Sequence, residues 1–311
     1  MHGPSVEVGP HDAHVREDAV KVSGFAMVRN ATRLDFPLEA SLRSLLPAVD
    51  ELVVNVGISD DDTLARVQAI DDPRLRIIES TWDPSRGPAM LADETNRAMA
   101  ACTHPWGIYI QADEVLQDGS AALLRAAIEE IDADPRVEGV VVDYLHFYGG
   151  FDHVATNRSW YRRECRAVRL GPASAVHSFR DAQGFRVGSE HRRIRVVRSR
   201  AVMHHYGWAR PAWALHAKRE ADLAIYHWRQ QQDPARPLLP WIPGIRLFRG
   251  EHPAVAADWI AARRGGERLV ERRVIHPHHI PQLISSGVER LTGWRPLEYR
   301  NYAVVSSPGS G

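Results

Sequence analysis

The sequence has very little cysteine: Cys102 and Cys165 are the only two in 311 residues. They stand far apart and outside any C-x-x-C spacing, which excludes a disulfide framework or a cysteine zinc site as the organising device. An excess of either charge is also missing, because 39 Lys and Arg balance 39 Asp and Glu. No net field of the molecule would gather nucleic acid, so nucleic acid is not an expected partner. A run of about 18 apolar residues, the signature of a membrane-spanning helix, does not occur. The opening "MHGPSVEVGPHDAHVREDAV" carries acids and histidines where a signal peptide needs an apolar stretch. These absences lead to the expectation of a cytoplasmic protein, with any membrane contact peripheral at the inner face.

What is present suits a globular chain, with 44% hydrophobic and 25% charged residues, long enough for one large domain or two modest ones. Residues 1–19 are polar and marked by Gly and Pro, and are expected to form a loose tail. From residue 20 onward apolar and amphipathic stretches alternate: "GFAMV", "FPLEASLRSLL", "ELVVNV", "DDDTLARVQAI", "LRIIES", "AMLADETNRAMAAC", "GIYI". Strands separated by helices of this length predict βαβ units, hence an α/β fold with a mostly parallel sheet flanked by helices. Right-handed crossovers place the C-terminal ends of those strands on one edge, where open α/β sheets bind ligands. Three polar segments fall there: "VRN" at 28–30, "NVGISDDD" at 55–62 and "QADE" at 111–114.

After a helix begun near Asp118 the character changes. "VEGVVVDYLHFYGG", "WYRRECRAVRL" and "RRIRVVRSRAVMHHYGW" are strand-like without clean helices between them, which predicts antiparallel strands added over the rim. A helix is expected in "AWALHAKREADLAIYHWRQ". Beyond the proline cluster "DPARPLLPWIPG" a mainly helical extension, 236–311, is expected to pack on the 20–235 domain.

An apolar strand ending in Asp113 and Glu114 suits a hard divalent cation, which takes one or two protein carboxylates and fills its shell with phosphate and water. Acids near a helix start can also be mere capping charges. The order of motifs decides for the first reading. "MVRN", "NVGISDDDT", "DETNRAMAAC" and "QADE" follow one another as in glycosyltransferase family 2, and over roughly residues 20–210 the chain resembles that family on its GT-A fold.

The resemblance implies an inverting transfer from a nucleotide-diphosphate sugar to a hydroxyl of a glycan, lipid-linked or natural-product acceptor. It assigns the nucleotide sugar to Val28, Arg29, Asn30, Asn55, Gly57, Asp60, Asn96, Gln111, Ala112 and Asp113. Mg²⁺ or Mn²⁺ would lie on Asp113 and Glu114, completed by His204 or His205. Successive strand residues point to opposite faces, so only one of the two histidines can face the site, and His205 is favoured. For the base that takes the acceptor's proton, Asp181 in "SFRDAQGFR" comes first and Glu164 second. The chain also departs from the pattern: Gln111, Asn55 and Thr95 stand where two acids and an Arg are usual, so acceptor oxygens remain at two positions while charge is lost.

The stretch "HFYGGFDHVATNRSWYRRE" combines aromatic rings that could line an acceptor groove with Arg158 and Arg162, which could balance a leaving diphosphate. "VIHPHHI", 274–280, is rich in histidine but lacks the spacing of a metal site, and packing histidines are expected. Two rivals stand beside the transferase. A nucleotidyltransferase would need a Gly-rich basic loop that "GFAMVRNATRLD" lacks, and a non-catalytic sugar- or nucleotide-binding module would explain the neutral Gln111 and Asn55.

Overall fold

The protein is described by a computed structural model covering residues 19–226, 237–265, 270, 274–295 and 298–305. The expected tail, apart from residue 19, lies outside the described residues, as does the end of the "AWALHAKREADLAIYHWRQ" segment. The first half alternates as its periodicity requires: β1 (Val22–Val28), α1 (Leu38–Leu45), β2 (Glu51–Gly57), α2 (Thr63–Gln68), β3 (Leu75–Ser80), α3 (Ala89–Ala100), β4 (Trp106–Tyr109), β5 (Glu114–Leu116) and α4 (Ser120–Ile131). The second half is strand-rich: β6 (Gly139–Tyr148), β7 (His153–Ala155), β8 (Arg163–Arg169), β9 (Val176–Phe179), β10 (Gly184–Val187) and β11 (Arg192–Trp208). Then come α5 (Ala212–Ile225), β12 (Ile245–Leu247), α6 (Ala257–Ala261), α7 (Ile280–Thr292) and β13 (Tyr302–Val304).

The sheet runs in the order β3-β2-β1-β4-β8-β6-β11-β10-β9. β3, β2, β1 and β4 pair in parallel. β8 is antiparallel to both β4 and β6, so β6 runs with β4, and β11 pairs parallel to β6. Six of the seven strands from β3 to β11 therefore point one way, giving a mostly parallel α/β sheet.

Two cores follow from the period of two along each strand. Trp106, Ile108 and Ile110 face one side together with Val140 and Val142, and are covered by Leu38, Leu42 and Leu45 of α1 and Leu124, Ile128 and Ile131 of α4. These helical residues recur at three- and four-residue spacing, which places them on one face. Tyr109 and Val141 turn to the other side and pack with Phe25, Ala98, Phe185 and Ile194.

Beside α6 and α7 the C-terminal segment carries two short strands. It gives β12 to β7 and β13 to β11, so it completes two sheet edges. Tyr302, in β13, is buried in the second core. An Asp35–Arg263 ion pair and bonds from Arg295 to the Thr156 and Trp160 carbonyls tie the segment down. His276 and His279 of "VIHPHHI" bond reciprocally at the start of the helical turn before α7, a packing role. Among the described residues no helix is long and apolar enough to cross a membrane.

Candidate active site

The loops that follow β1 and β2 are knitted to each other. The Asn30 N–H donates to Ser59 Oγ at 3.0 Å, the Asp60 N–H donates to Asn30 Oδ1 at 3.0 Å, and Arg29 Nε donates to the Ile58 carbonyl at 2.9 Å. This fixes Arg29, Asn30 and Asp60 on one rim. Val28 is buried in the core, and Gly57 lies under the Trp82 indole, where a Cβ would come within 2.5 Å of Nε1.

Two of the residues assigned to the nucleotide are occupied otherwise. Asn55 is fully buried: its amide donates to the carbonyl and carboxylate of Glu94, and its Oδ1 accepts from Ser80 at 2.8 Å. No polar group of Asn55 is left for a nucleoside. Asn96 exchanges two bonds with the Ser178 backbone, donating at 3.2 Å and accepting at 2.7 Å, and so pins α3 to β9.

The pair at the strand mouth splits. β5 pairs antiparallel with β11, with Glu114 opposite His205, and this turns the Glu114 carboxylate inward. There it meets Arg166 Nη2 at 2.8 Å, with both side chains fully buried, and accepts from Tyr144 Oη at 2.7 Å. Glu114 is therefore not a metal ligand, because burial of a charge demands the partner it has found.

Asp113 is buried, 8% exposed, and stands beside His205. Its Oδ2 lies 3.6 Å from His205 Nε2 and 3.5 Å from Arg210 Nη2. Burial would push this carboxyl's pKa up, but His205, Arg210 and Lys218 together hold it well below the usual carboxylate range. Arg210 is itself held by two bonds to the Gly207 carbonyl and one to the Leu34 carbonyl. Gly207 is needed between them, since a Cβ there would meet His205 Nε2 at 2.5 Å and Asp113 Oδ2 at 2.9 Å.

His204 points to the opposite face, as strand alternation requires. It is 1% exposed among Phe147, Phe248 and His252, and burial pushes its pKa down to about 3. It does not reach the cleft and is not a ligand.

Glu164 is likewise removed from the candidate bases. It is sealed at 1% exposure beneath Asn301 and beside Gly184, and burial raises its carboxyl to about 7. A raised acid contributes stability that is complete below its unfolded value and is lost as pH rises through the folded one. Glu164→Gln is accordingly expected to stabilise the chain above pH 7, by up to about 3 kcal/mol, and to be neutral below about pH 4.5. Urea midpoints at the two pH values check it, and equal shifts at both would refute the assignment.

Asp181 lies half-buried in the turn between β9 and β10, with Arg180 and Ala182 on either side at φ of 59° and 60°. Positive φ at non-glycine residues is costly and persists where the surroundings impose it. Here the constraint is visible: Gln111 Nε2 donates to the Ala182 carbonyl at 3.3 Å, and Arg166 Nη1 donates to the Gln183 carbonyl at 3.0 Å. The turn is thus tied to the "QADE" segment, and the Tyr226 hydroxyl lies 3.5 Å from Asp181 Oδ2.

Beside this turn opens a cavity of about 580 Å³, lined by His146, Trp160, Tyr161, His205, Trp208 and Lys218 among others. Lys218 Nζ stands 5.1 Å above the Trp208 ring. A larger cavity of about 830 Å³ includes Arg210 but not His205; neither lining includes Asp113 or Asp181, which lie behind His205 and next to Gln183 of the smaller one. Arg162 pairs with Glu289 and Glu298 on the C-terminal segment, so it serves packing and is not free for a phosphate.

Sequence reading missed His146, Arg210 and Lys218. A histidine in the middle of an apolar strand, as in "YLHFY", was the one signal that could have pointed to the first.

Among the described residues no three His, Cys, Asp or Glu side chains gather as a metal site. Asp113 and His205 supply two donors. Two donors fit Mg²⁺ or Mn²⁺ where a nucleotide's phosphates and water fill the remaining positions.

No protein-family model matches the chain, and no curated protein matches it. Solved structures that overlap it in part include Staphylococcus aureus TarS residues 1–349 in complex with UDP, at 18% identity over 42% of this chain and 38% of that one, TM-score 0.34. Glucosyl-3-phosphoglycerate synthase from Mycobacterium tuberculosis, with Mn²⁺, UDP and phosphoglyceric acid, overlaps at 19% identity over 41% and 43%, TM-score 0.31. A second S. aureus TarS structure overlaps at 12% identity over 65% and 39%, TM-score 0.40. The chain spans about two-fifths of the length of these proteins.

Proposed function

We propose that the chain is an inverting glycosyltransferase of the family 2 type on a GT-A fold, with residues 20–235 as its catalytic domain and 236–311 as an extension packed on it. The observation that carries this reading is Asp113, held just past the mouth of β4 and facing His205 beside an aromatic cleft. Open α/β sheets bind nucleotides at such strand ends.

The donor is a nucleoside-diphosphate sugar, with its diphosphate toward Asp113. Asp113 and His205 would hold Mg²⁺ or Mn²⁺, which when bound offsets the charge that collects on the departing diphosphate. Arg210 and Lys218 add fixed positive charge beside Asp113. Trp160, Tyr161 and Trp208 offer flat apolar faces for the sugar ring of a glycan, lipid-linked or small-molecule acceptor. Asp181 takes the acceptor hydroxyl's proton as that oxygen bonds to the anomeric carbon. The bond from that carbon to the diphosphate breaks, and its electron pair leaves on the phosphate oxygen. Attack opposite the leaving group inverts the anomeric configuration. The reaction would take place in the cytoplasm, with any membrane contact peripheral.

A thermal-shift panel of nucleoside diphosphates and nucleotide sugars tests this. Ligand at a hundredfold excess over Kd stabilises the native state by about 2.7 kcal/mol. One nucleotide should raise Tm with Mn²⁺ or Mg²⁺ and lose that effect in EDTA. A shift that survives EDTA would remove the cation from the reading, and no shift with any nucleotide would overturn it. Binding without turnover would favour the non-catalytic module, to which the neutral Gln111 and Asn55 also point.

A further inference from the structure

Helix α7 packs with its amphipathicity inverted. Ile280, Leu283, Ile284 and Leu291 recur at three-, four- and seven-residue spacing and share one face with Gly287. The opposite face carries Gln282, Ser285 and Glu289, and it is this polar face that meets the rest of the molecule. Gln282 Nε2 donates to Ser159 Oγ at 3.3 Å, Ser285 is buried, and Glu289 pairs with Arg162 and Arg295. The apolar face looks out: Ile284 is 63% exposed, Leu291 87% and, just past the Gly293 cap, Trp294 64%. Exposed apolar side chains scattered singly are ordinary, whereas a contiguous stripe marks a docking surface.

Charge decides between the surfaces that could cover the stripe. The two acids between residues 274 and 305, Glu289 and Glu298, are turned onto Arg162, Arg295 and Arg300, while Arg290 stands exposed on the flank of the stripe. A dimer built on this face would set it against itself and offer Arg290 no free carboxylate. An anionic bilayer accepts both the stripe and the arginine. At 13 residues, about 20 Å, α7 is too short to span a membrane and suits one lying in the interface, where Trp is also favoured. We propose that the α7 face docks on an anionic bilayer, with Ile280, Ile284, Leu291 and Trp294 among the acyl chains and Arg290 on the headgroups. Gln282 of α7 lines the cavity that holds His205 and Trp208, and Arg295 bonds to the Trp160 carbonyl on its wall. Docking therefore brings that cavity to the membrane surface, the side from which a lipid-linked acceptor would enter; that consequence rests on the glycosyltransferase reading above, whereas the docking does not.

Flotation of the full chain with lipid vesicles tests the docking without nucleotide or turnover. Vesicles of phosphatidylcholine with phosphatidylglycerol should carry the chain up the gradient, and vesicles of phosphatidylcholine alone should carry less. Ile284→Asp with Leu291→Asp should weaken vesicle affinity by at least about tenfold, the effect of burying one such side chain. Arg290→Glu should weaken it on the anionic vesicles only. All three positions are exposed, so the fold should hold, which circular dichroism and Tm check. No flotation of the unsubstituted chain overturns the proposal, as does flotation that the double variant leaves unchanged or that ignores the anionic lipid. Should the double variant misfold, Arg290→Glu and the two vesicle compositions still decide. Sedimentation velocity of the lipid-free chain examines the other occupant: a dimer that the double variant dissociates, in a chain that does not float, assigns the face to a second copy and overturns the bilayer. Flotation with no Tm shift by any nucleotide would uphold the docking and overturn the transferase, and a nucleotide shift without flotation would do the reverse.

Discussion

Asp113→Asn is expected to lower nucleotide-sugar turnover by about a hundred- to a thousandfold, the scale reached when one charge-stabilising group is removed from a site. The carboxylate stands with His205, which lines the aromatic cavity. Asparagine keeps its shape and one acceptor oxygen but loses the charge. The fold should survive, because Arg210 keeps its bonds to the Gly207 and Leu34 carbonyls when its anionic neighbour becomes neutral. Circular dichroism and Tm beside kcat would separate the two effects. Asp181→Asn should behave differently: a lost general base costs about 10²- to 10⁴-fold in kcat but leaves the nucleotide-induced rise in Tm intact. Turnover by Asp113→Asn within tenfold of the unsubstituted chain would remove Asp113 from the mechanism.

Glu114→Ala, one residue further on, should fail for another reason. Its carboxylate and the Arg166 guanidinium are a fully buried pair, satisfied further by the Tyr144 hydroxyl and by the Cys165 and Gln183 carbonyls. Arg166 also lies over the Tyr109 and Tyr144 rings at 5.3 and 5.2 Å. Removing one partner leaves an uncompensated buried charge, so Glu114→Ala or Arg166→Met alone should cost about 3–5 kcal/mol. The double variant Glu114→Gln with Arg166→Met should recover much of that loss, since no lone charge remains. Urea unfolding of Glu114→Gln alone, Arg166→Met alone and the double closes the cycle. Single losses below about 1 kcal/mol would show that the pair is not buried in solution.

The contrast between these neighbours shows what was legible. "QADE" announced acids at a strand end but could not say that Asp113 would stand with His205 while Glu114 pairs with Arg166, because that depends on the short β5 pairing with β11 from far along the chain. Alternation along β11 did separate His204 from His205, since that is a local property of any strand. Asn55 and Asn96 were assigned to the nucleotide by position in a motif. Their bonding was invisible there: Ser80, Glu94 and Ser178 take up their amides only once β3, α3 and β9 are packed. Glu164 looked like an acid near aromatics and proved to be sealed under Asn301, 137 residues away.

The sequence by itself determined the alternation of strands and helices, the strand-rich second half and the polar rim, because burial imposes a period of two on strands and 3.6 on helices within a few residues. It also carried the motif order that led to a glycosyltransferase reading. Tertiary structure alone decided which carboxylate stands with His205, brought Arg210 to Asp113, and set His146 behind His205 across 59 residues of chain. A side chain's exposure is a local preference, whereas its partner depends on which strands become neighbours, and the whole chain decides that.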